Sequence, residues 1–173
     1  MTLKPDPHTV SPFVEECSTR ITLPEGALVL DLPCGLGRHA RFFASLGCHV
    51  VGLDIDEIRL ARAKDLSVRE RIRWVVANIE RTLPLRDAAF DLVVVVHYVS
   101  PNILAAATAA LKPGGYLIFE TFDARGGNWQ ALPRKDKVPE FLFRGFEIVE
   151  LRERHVGPNA THAVVRALAR RRS

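Results

Sequence analysis

The sequence predicts an α/β fold built around a mostly parallel sheet, and three features of the chain predict it. The apolar run Ala27–Leu30 is followed by a turn with two glycines, Pro33–Gly37, and then by the helical pattern of Arg38–Leu46. The next apolar run, His49–Leu53, follows at a distance that fits one helix and one strand, which indicates a βαβ unit. The continuous β-branched run in Phe90–Val96 indicates a strand buried on both faces, as in a parallel sheet.

A short segment precedes this unit. Ser11 can cap a helix, Pro12 suits its first position and two acids follow, so a short helix is predicted through about Arg20. We therefore divide the chain into an N-terminal segment, residues 1–23, and one domain, residues 24–173. A chain of 173 residues can bury a substantial core but leaves little room for a separate target-recognition domain.

Further helices and strands continue the pattern. Glu57–Leu66 is predicted to be a helix and Ile72–Ala77 the third strand, and Ser100 caps the helix that follows the fourth strand. Leu111–Gly115 is predicted to be a turn, because its proline and glycines stop a helix and reverse the chain. The fifth strand is then Tyr116–Phe122.

The last third of the chain is predicted to contain a long irregular stretch and two strands. Asp123–Arg144 has a short helical pattern only at Pro139–Phe143, and a connection of this length is usually functional. Phe146–Arg152 and Ala163–Ala169 are predicted strands, joined closely enough to form an antiparallel hairpin.

Composition and charge narrow the functional classes. The three cysteines are odd in number and form no C-x-x-C, which argues against a disulfide framework. Cys34, His39, Cys48 and His49 lack the spacing of a metal site, so no metal is predicted. The net charge of +4 includes Arg170–Arg172 at the end of the chain, which is either a solvated tail or a contact for a phosphate-rich partner.

The chain has no apolar run near the ~18 residues of a membrane span, and its first residues lack the apolar core of a signal peptide. We therefore expect a cytoplasmic protein without membrane contact.

Two kinds of ligand fit the glycine turn. Gly35 and Gly37 tolerate positive φ and let a ligand lie against the backbone beside unpaired N–H groups. The spacing Gly35-x-Gly37-x-x-Ala40 loosely matches the dinucleotide fingerprint of NAD-linked oxidoreductases. Asp31 argues against this interpretation, because a carboxylate at the strand end repels a pyrophosphate and suits a positively charged ligand.

The segment Asp31–Gly37, D-L-P-C-G-L-G, resembles the first motif of class I S-adenosylmethionine-dependent methyltransferases. Leu111–Gly115, L-K-P-G-G, resembles the turn that these enzymes often carry before their fifth strand. The resemblance covers residues 24–170 and implies a three-layer, Rossmann-like sheet of seven strands in the order 3-2-1-4-5-7-6, with strand 7 antiparallel. Gly37–His39, Tyr98 and Glu120–Phe122 further resemble a small bacterial group of the tellurite-resistance type.

The same resemblance implies S-adenosylmethionine as the cofactor and gives roles to residues at the strand ends. Asp31 would attract its amino group, Asp54 would accept from both ribose hydroxyls, and Asn78 with the backbone of Ile79 would hold the adenine. The His97 carbonyl would bind the methionine amine. The predicted cofactor-binding residues are Asp31, Pro33, Gly35, Gly37, Arg38, Asp54, Ile55, Asn78, Ile79 and His97.

Two of these roles have structural alternatives. Asp54 could cap the following helix, although Asp56 can take that role and would leave Asp54 free. Asn78 could simply end its strand in a turn.

The acceptor side is less well marked. A general base is needed only if the acceptor must lose a proton, and His97 and Tyr98, just after the fourth strand, are the predicted catalytic residues. Their alternative role is capping or packing at a strand end. Trp129, Arg125 and Arg134 are candidates for the acceptor pocket, or else ordinary exposed loop residues.

The resemblance implies direct, in-line methyl transfer to a small-molecule acceptor, and we expect a monomer or dimer. One alternative is methylation of RNA or protein, although no N/D-P-P-Y/F motif follows the fourth strand, where His97–Ser100 stands. A second alternative is a non-catalytic partner subunit that binds S-adenosylmethionine.

Overall fold

The structure is a computed structural model and describes residues 8–67, 72–81, 85–122, 129–138 and 145–172. Helices and strands alternate over most of the chain. In chain order they are α1 (Pro12–Ser18), β1 (Leu28–Asp31), α2 (Arg38–Ser45), β2 (His49–Asp54), α3 (Glu57–Asp65), β3 (Ile72–Val76), β4 (Phe90–Val96), α4 (Pro101–Ala110), β5 (Leu111–Glu120), β6 (Phe146–Val156) and β7 (His162–Arg171). Short 3-10 turns occupy Lys135–Lys137 and Pro158–Ala160.

The strands form one seven-stranded sheet in the order β3-β2-β1-β4-β5-β7-β6. The five strands β1 to β5 are parallel, and β7 runs antiparallel to both of its neighbours, β5 and β6. The predicted strand order and the antiparallel seventh strand are confirmed. The chain leaves β1 towards β2 on one side, whereas β4 and β5 lie on the other side, so the carboxyl ends of β1 and β4 flank a topological switch point.

The sheet separates two apolar layers. On one face, Phe13 of α1 and Phe43 of α2 pack with Val29 and Val94 of the sheet. On the other face, residues of α4 such as Ile103 and Leu104 pack with the neighbouring positions of the same strands. Successive residues of β4 point to opposite layers, which explains why its apolar run is continuous.

The segment Leu111–Gly115 differs from its prediction as a turn ahead of the fifth strand. It belongs to β5: Leu111 pairs with Phe90, and Tyr116 pairs with Leu92 across a register shift. The extra residues form an irregularity in the strand, and the predicted strand start at Tyr116 is wrong. The strand also ends at Glu120, two residues before the predicted end.

The arginines near the end of the chain explain part of this irregularity. Arg170 donates from Nε to the Gly114 carbonyl at 3.0 Å, and its guanidinium lies over the Tyr116 ring. Arg171 donates to the Leu111 carbonyl. Both arginines therefore belong to β7 and contact the bulged part of β5, so the first of the two alternatives, a solvated tail, does not hold for them. The second, a contact for a phosphate-rich partner, stays a prediction.

The hairpin at the carboxyl end is longer than predicted, with β6 extending to Val156 and β7 to Arg171. The helix predicted at Pro139–Phe143 lies outside the described residues, as does Arg125. Within the described ranges, no helix is long and apolar enough to cross a membrane.

Candidate functional site

The carboxyl ends of the parallel strands bring the predicted cofactor-binding residues to one edge of the sheet, which we call the ligand edge. Asp31 ends β1, Asp54 ends β2, and Asn78 and His97 follow β3 and β4 closely. Open α/β sheets bind ligands outside these strand ends, beside the switch point.

The glycine turn that joins β1 to α2 is closed by backbone hydrogen bonds. Cys34 N donates to the Leu53 carbonyl at 2.9 Å, and Gly37 N donates to the Cys34 carbonyl at 2.8 Å. Gly35 and Gly37 have φ values of 54° and 71°, a conformation that L side chains adopt at a cost. The turn therefore requires glycine at both positions for backbone reasons.

The two glycines differ in what lies beside them. A Cβ at Gly37 would lie 2.2 Å from the Trp74 indole, whereas a Cβ at Gly35 would have no atom of the described residues within 4 Å. Gly37 is thus covered by the protein, and Gly35 faces open space at the ligand edge. This open space fits a ligand lying against the backbone of the turn.

Asp54 connects the end of β2 to this turn. Its Oδ2 accepts a hydrogen bond from Gly35 N at 2.7 Å, and its Oδ1 accepts from Asp56 N at 3.0 Å. Asp56 does cap α3, as expected, because its Oδ1 accepts from Ile58 N and Arg59 N. Asp54 is therefore free of the capping role, as predicted, but both of its oxygens accept backbone hydrogen bonds, and each can still accept a second one. Its role towards a ribose stays a prediction.

Asp31 is a buried carboxylate with one unused oxygen. Its Oδ2 accepts from Ala40 N at 3.0 Å, whereas its Oδ1, although fully buried, has no hydrogen-bond partner within the described ranges. Burial raises the pKa of Asp31 to about 7, against the opposing effects of the Ala40 N–H and the nearby Arg38. A buried oxygen without a partner is costly, so this atom is suited to a hydrogen-bond donor or cation supplied by a ligand.

His39 lies beside that oxygen and is also buried. Its Nε2 accepts from the backbone N of Ser11 at 3.3 Å, which assigns the ring proton to Nδ1, 4.0 Å from Asp31 Oδ1. Burial lowers the pKa of His39 to about 3, so the ring is neutral.

The same network continues through Ser11 to the end of β5. Ser11 Oγ donates to Glu120 Oε2 at 2.5 Å, and Arg166 donates to Glu120 Oε1 at 2.8 Å. The sequence reasoning did not assign these side chains to the site. The available signals were a carboxylate inside an apolar strand, Glu120, and a histidine on the sheet-facing side of α2.

The residues after β3 form a tight polar turn. Asn78 Oδ1 accepts from Glu80 N at 2.9 Å, and Arg81 N donates to the Asn78 carbonyl at 3.0 Å. The Ile79 side chain is buried in the layer that contains α4. The amide oxygen predicted to meet the adenine therefore already has a backbone partner.

The two residues predicted to be catalytic have different surroundings. His97 has a φ of 62°, donates from its backbone N to the Glu120 carbonyl at 2.7 Å, and places Nδ1 3.4 Å from Arg38 Nη2. Its imidazole is exposed. Tyr98 instead donates its hydroxyl to Glu80 Oε1 at 2.5 Å. Both catalytic roles stay predictions.

The other predicted residues complete this arrangement. Pro33 is half-buried in the glycine turn, and Ile55 is exposed beside Asp54. Trp129 packs edge-on against the His162 ring. The backbone of Arg134 forms an isolated antiparallel β-bridge with that of His162, and its side chain forms an ion pair with Asp136. The two candidates for the acceptor pocket that the structure describes therefore pack at the start of β7.

A separate cavity of about 1010 Å³ lies at the opposite, amino-terminal ends of the strands. Its lining includes Leu28, His49, Ile72 and Phe90, which begin β1 to β4. It does not share residues with the ligand edge.

Comparison with known proteins settles the family. Residues 29–115, half of the chain, match the family model described as a methyltransferase domain. The chain belongs to the methyltransferase domain family. The matched residues begin in β1 and end in β5, so they include the glycine turn, Asp31, Asp54 and the residues after β3 and β4.

Curated relatives match over the same part of the chain. A ubiquinone biosynthesis O-methyltransferase of Xanthomonas euvesicatoria is 32% identical over 124 residues, which are 67% of this chain and 52% of the relative. An uncharacterized methyltransferase of Synechocystis is 36% identical over 121 residues, which are 65% of this chain and 55% of the relative. The chain spans about half the length of the curated relatives it matches.

Solved structures match almost the whole chain. An S-adenosylmethionine-dependent methyltransferase from Mesorhizobium loti is 26% identical with a TM-score of 0.67, over 91% of this chain and 98% of that one. A methyltransferase structure from Methanosarcina mazei, 20% identical with a TM-score of 0.71, shares the fold over 95% of this chain and 99% of that one. The predicted superfamily, the class I S-adenosylmethionine-dependent methyltransferases, is confirmed, and the tellurite-resistance-type group stays a prediction.

Proposed function

We propose that this methyltransferase-family chain transfers a methyl group from S-adenosylmethionine to a small-molecule acceptor. Two observations on the same strand and turn carry the proposal: Asp31 Oδ1 is buried without a partner among the described residues, and the backbone at Gly35, four residues later, meets open space. A carboxylate at the strand end, followed by open backbone, fits a cationic amino group attached to an extended ligand. The same carboxylate would repel the pyrophosphate of a dinucleotide.

In this proposal, different residues of the ligand edge bind different parts of the cofactor. Asp31 takes the amino group, together with the backbone carbonyl of His97, and Asp54 accepts from the ribose through its remaining lone pairs. The turn after β3 faces the adenine. The proposed cofactor-binding set is Asp31, Pro33, Gly35, Gly37, Arg38, Asp54, Ile55, Asn78, Ile79 and His97.

The cofactor, when bound, would supply an electrophilic methyl carbon: the acceptor's lone pair would form the new bond to this carbon, and the electron pair of the broken carbon–sulfur bond would stay on sulfur. The protein's contribution is orientation, because alignment of the reacting atoms accounts for much of the acceleration in such displacements. The imidazole of His97 is exposed at the ligand edge, and its Nδ1 faces the donor Arg38 Nη2, which makes Nδ1 the acceptor atom of the neutral ring. We assign to this nitrogen the proton of a hydroxyl acceptor that displaces Arg38.

A small-molecule acceptor is supported by the curated relatives named as ubiquinone biosynthesis O-methyltransferases. We therefore expect the acceptor atom to be an oxygen, and phenols are the first class of acceptor to test. A hydroxyl acceptor must lose its proton, so it needs a general base such as His97. A neutral amine acceptor has less need of one.

The acceptor class is tested by measuring release of S-adenosylhomocysteine in the presence of small phenols, small carboxylic acids, bulk RNA or a protein mixture. The proposal expects release to rise above the acceptor-free rate with a small molecule, and His97→Ala to lower it about 10²-fold at neutral pH. Release that responds only to RNA or protein would contradict the small-molecule acceptor. Tight cofactor binding without release on any acceptor would favour a non-catalytic subunit.

A further inference from the structure

Glu80, just after β3, is bound by side chains from the other side of the ligand edge. Its Oε1 accepts from the Tyr98 hydroxyl at 2.5 Å, and its Oε2 accepts from Asn102 Nδ2 at 2.7 Å. Tyr98 follows β4, and Asn102 lies in the first turn of α4. We call these three residues, Glu80, Tyr98 and Asn102, the Glu80 clasp.

The clasp is attached directly to the turn assigned to the adenine. The backbone N of Glu80 donates to Asn78 Oδ1, so the side chain and the main chain of Glu80 are both occupied. Ile79, which lies between Asn78 and Glu80 in the chain, is fixed by burial of its side chain. The Glu80 carboxylate therefore links the turn Asn78–Glu80 to Tyr98 and Asn102.

The topology explains why this turn needs a side-chain support. β3 and β4 are consecutive in the chain but are separated in the sheet by β2 and β1. The described parts of their connection, residues 77–81 and 85–89, contain no helix that would fix its course. Ala77 N, just before the turn, donates to the Asp54 carbonyl at 3.0 Å. Beyond that point the turn is held by the buried Ile79 and by the side-chain contacts of Glu80, among them those to Tyr98 and Asn102.

We propose that Tyr98 is a positioning residue of the cofactor site, which acts through Glu80 to fix the adenine-binding turn. The proposal rests on the proposed function, because it takes the nucleoside of S-adenosylmethionine to be the ligand of that turn. It moves Tyr98 from the predicted catalytic pair to cofactor binding and leaves His97 as the proton acceptor.

The protonation states agree with this role. Burial, together with the adjacent Glu80 carboxylate, raises the pKa of Tyr98 to about 12, and hydrogen bonds from Tyr98, Ser100 and Asn102 hold the pKa of Glu80 below its usual range. At neutral pH the pair is therefore a phenol donating to a carboxylate. A phenol that keeps its proton and is already engaged as a donor is poorly suited to remove a proton from a substrate.

The test compares two ligands that share the adenine, S-adenosylhomocysteine and free adenosine, by calorimetric titration. Tyr98→Phe removes one hydrogen bond of the clasp, and Glu80→Ala removes the acceptor of both. The sequence has only two tyrosines, and Tyr116→Phe is the matched control because Tyr116 lies in the middle of β5, four residues before its carboxyl end, under Arg170.

We expect Tyr98→Phe to weaken both ligands by a similar factor of about ten, with Tyr116→Phe unchanged. The double variant Tyr98→Phe/Glu80→Ala should bind no more weakly than Glu80→Ala alone, because both changes break the same unit. Glu80→Gln keeps an acceptor for the phenol and should recover part of the loss. A variant that is only destabilised would show neither this coupling nor this recovery.

The outcomes separate the clasp from the proposed function. If the unmodified protein binds neither ligand, the proposed function fails. If the unmodified protein binds both and Tyr98→Phe binds them equally well, or loses S-adenosylhomocysteine without losing adenosine, the clasp is overturned and the proposed function stands.

Discussion

Two halves of the ligand edge are held in place by different physical means. The glycine turn after β1 is tied to β2 by the nearly inaccessible carboxylate of Asp54, which accepts from backbone N–H groups. The turn after β3 is tied to β4 and α4 by the exposed carboxylate of Glu80, which accepts from side chains. The glycine turn is therefore held by buried backbone contacts of the fold itself, and the turn after β3 is held by exposed side-chain contacts.

This difference predicts where substitutions will act. Removing a buried acceptor leaves N–H groups without partners and lowers stability, whereas water can replace a lost contact at an exposed carboxylate. Changes around Asp54 should thus impair folding and binding together. Changes in the Glu80 clasp should affect binding with little change in stability.

Asp54→Ala should have the largest effect. It removes the acceptors of Gly35 N and Asp56 N and should lower the free energy of unfolding by about 2–4 kcal/mol, with loss of S-adenosylhomocysteine binding. Urea unfolding measures the first effect and calorimetry the second.

Asp56→Ala is the matched control, because Asp56 is a more exposed helix cap whose loss should cost about 1 kcal/mol. Equal losses of stability in the two variants would contradict the structural role given to Asp54.

A smaller effect is expected from pH, through Asp31. Its pKa of about 7 implies that the carboxylate is largely protonated below that pH, so affinity for S-adenosylhomocysteine should fall by up to about tenfold per pH unit below 7 and level off above it. Arg38 and Arg41 of α2 favour the ionised form, Asp54 of β2 opposes it, and His39 is neutral throughout this range.

Two controls distinguish Asp31 from other titrating groups. Asp31→Asn should flatten the pH dependence, and 5′-methylthioadenosine, which lacks the amino acid part, should bind independently of Asp31.

In the ligand-free protein, the ionisation of Asp31 affects stability with the opposite sign. The folded state keeps a proton that the unfolded chain releases, so this contribution is present below pH 3.8 and is lost as the pH rises through about 7. A steep pH dependence that persists in Asp31→Asn would contradict this assignment.

The sequence allowed most of the sheet to be predicted because its signals are local. The apolar runs of β1, β2 and β4, the glycines after β1 and the acids at the strand ends all lie within a few residues of the features that they define. The strand order came from the resemblance to the methyltransferase superfamily, which the family match and the solved structures support.

The polar contacts of the site could not be predicted in the same way, because they join distant parts of the chain. Ser11 and Glu120 are 109 positions apart, and Tyr98 and Glu80 meet only because the turn after β3 crosses to β4. The bulge in β5 likewise accepts hydrogen bonds from Arg170 and Arg171 of β7. Periodicity identifies the face on which a residue lies, but not its partner.

The central claim is that the space at Gly35 beside Asp31 holds S-adenosylmethionine. Calorimetric titration of the unmodified protein and of Gly35→Ala with S-adenosylmethionine, S-adenosylhomocysteine and NAD tests it most directly. We predict micromolar binding of the first two ligands and none of NAD. Gly35→Ala should lose at least about tenfold, because its methyl group enters the space assigned to the ligand and because alanine is strained at a φ of 54°. Binding of NAD, or equal binding of S-adenosylmethionine by both proteins, would contradict the account.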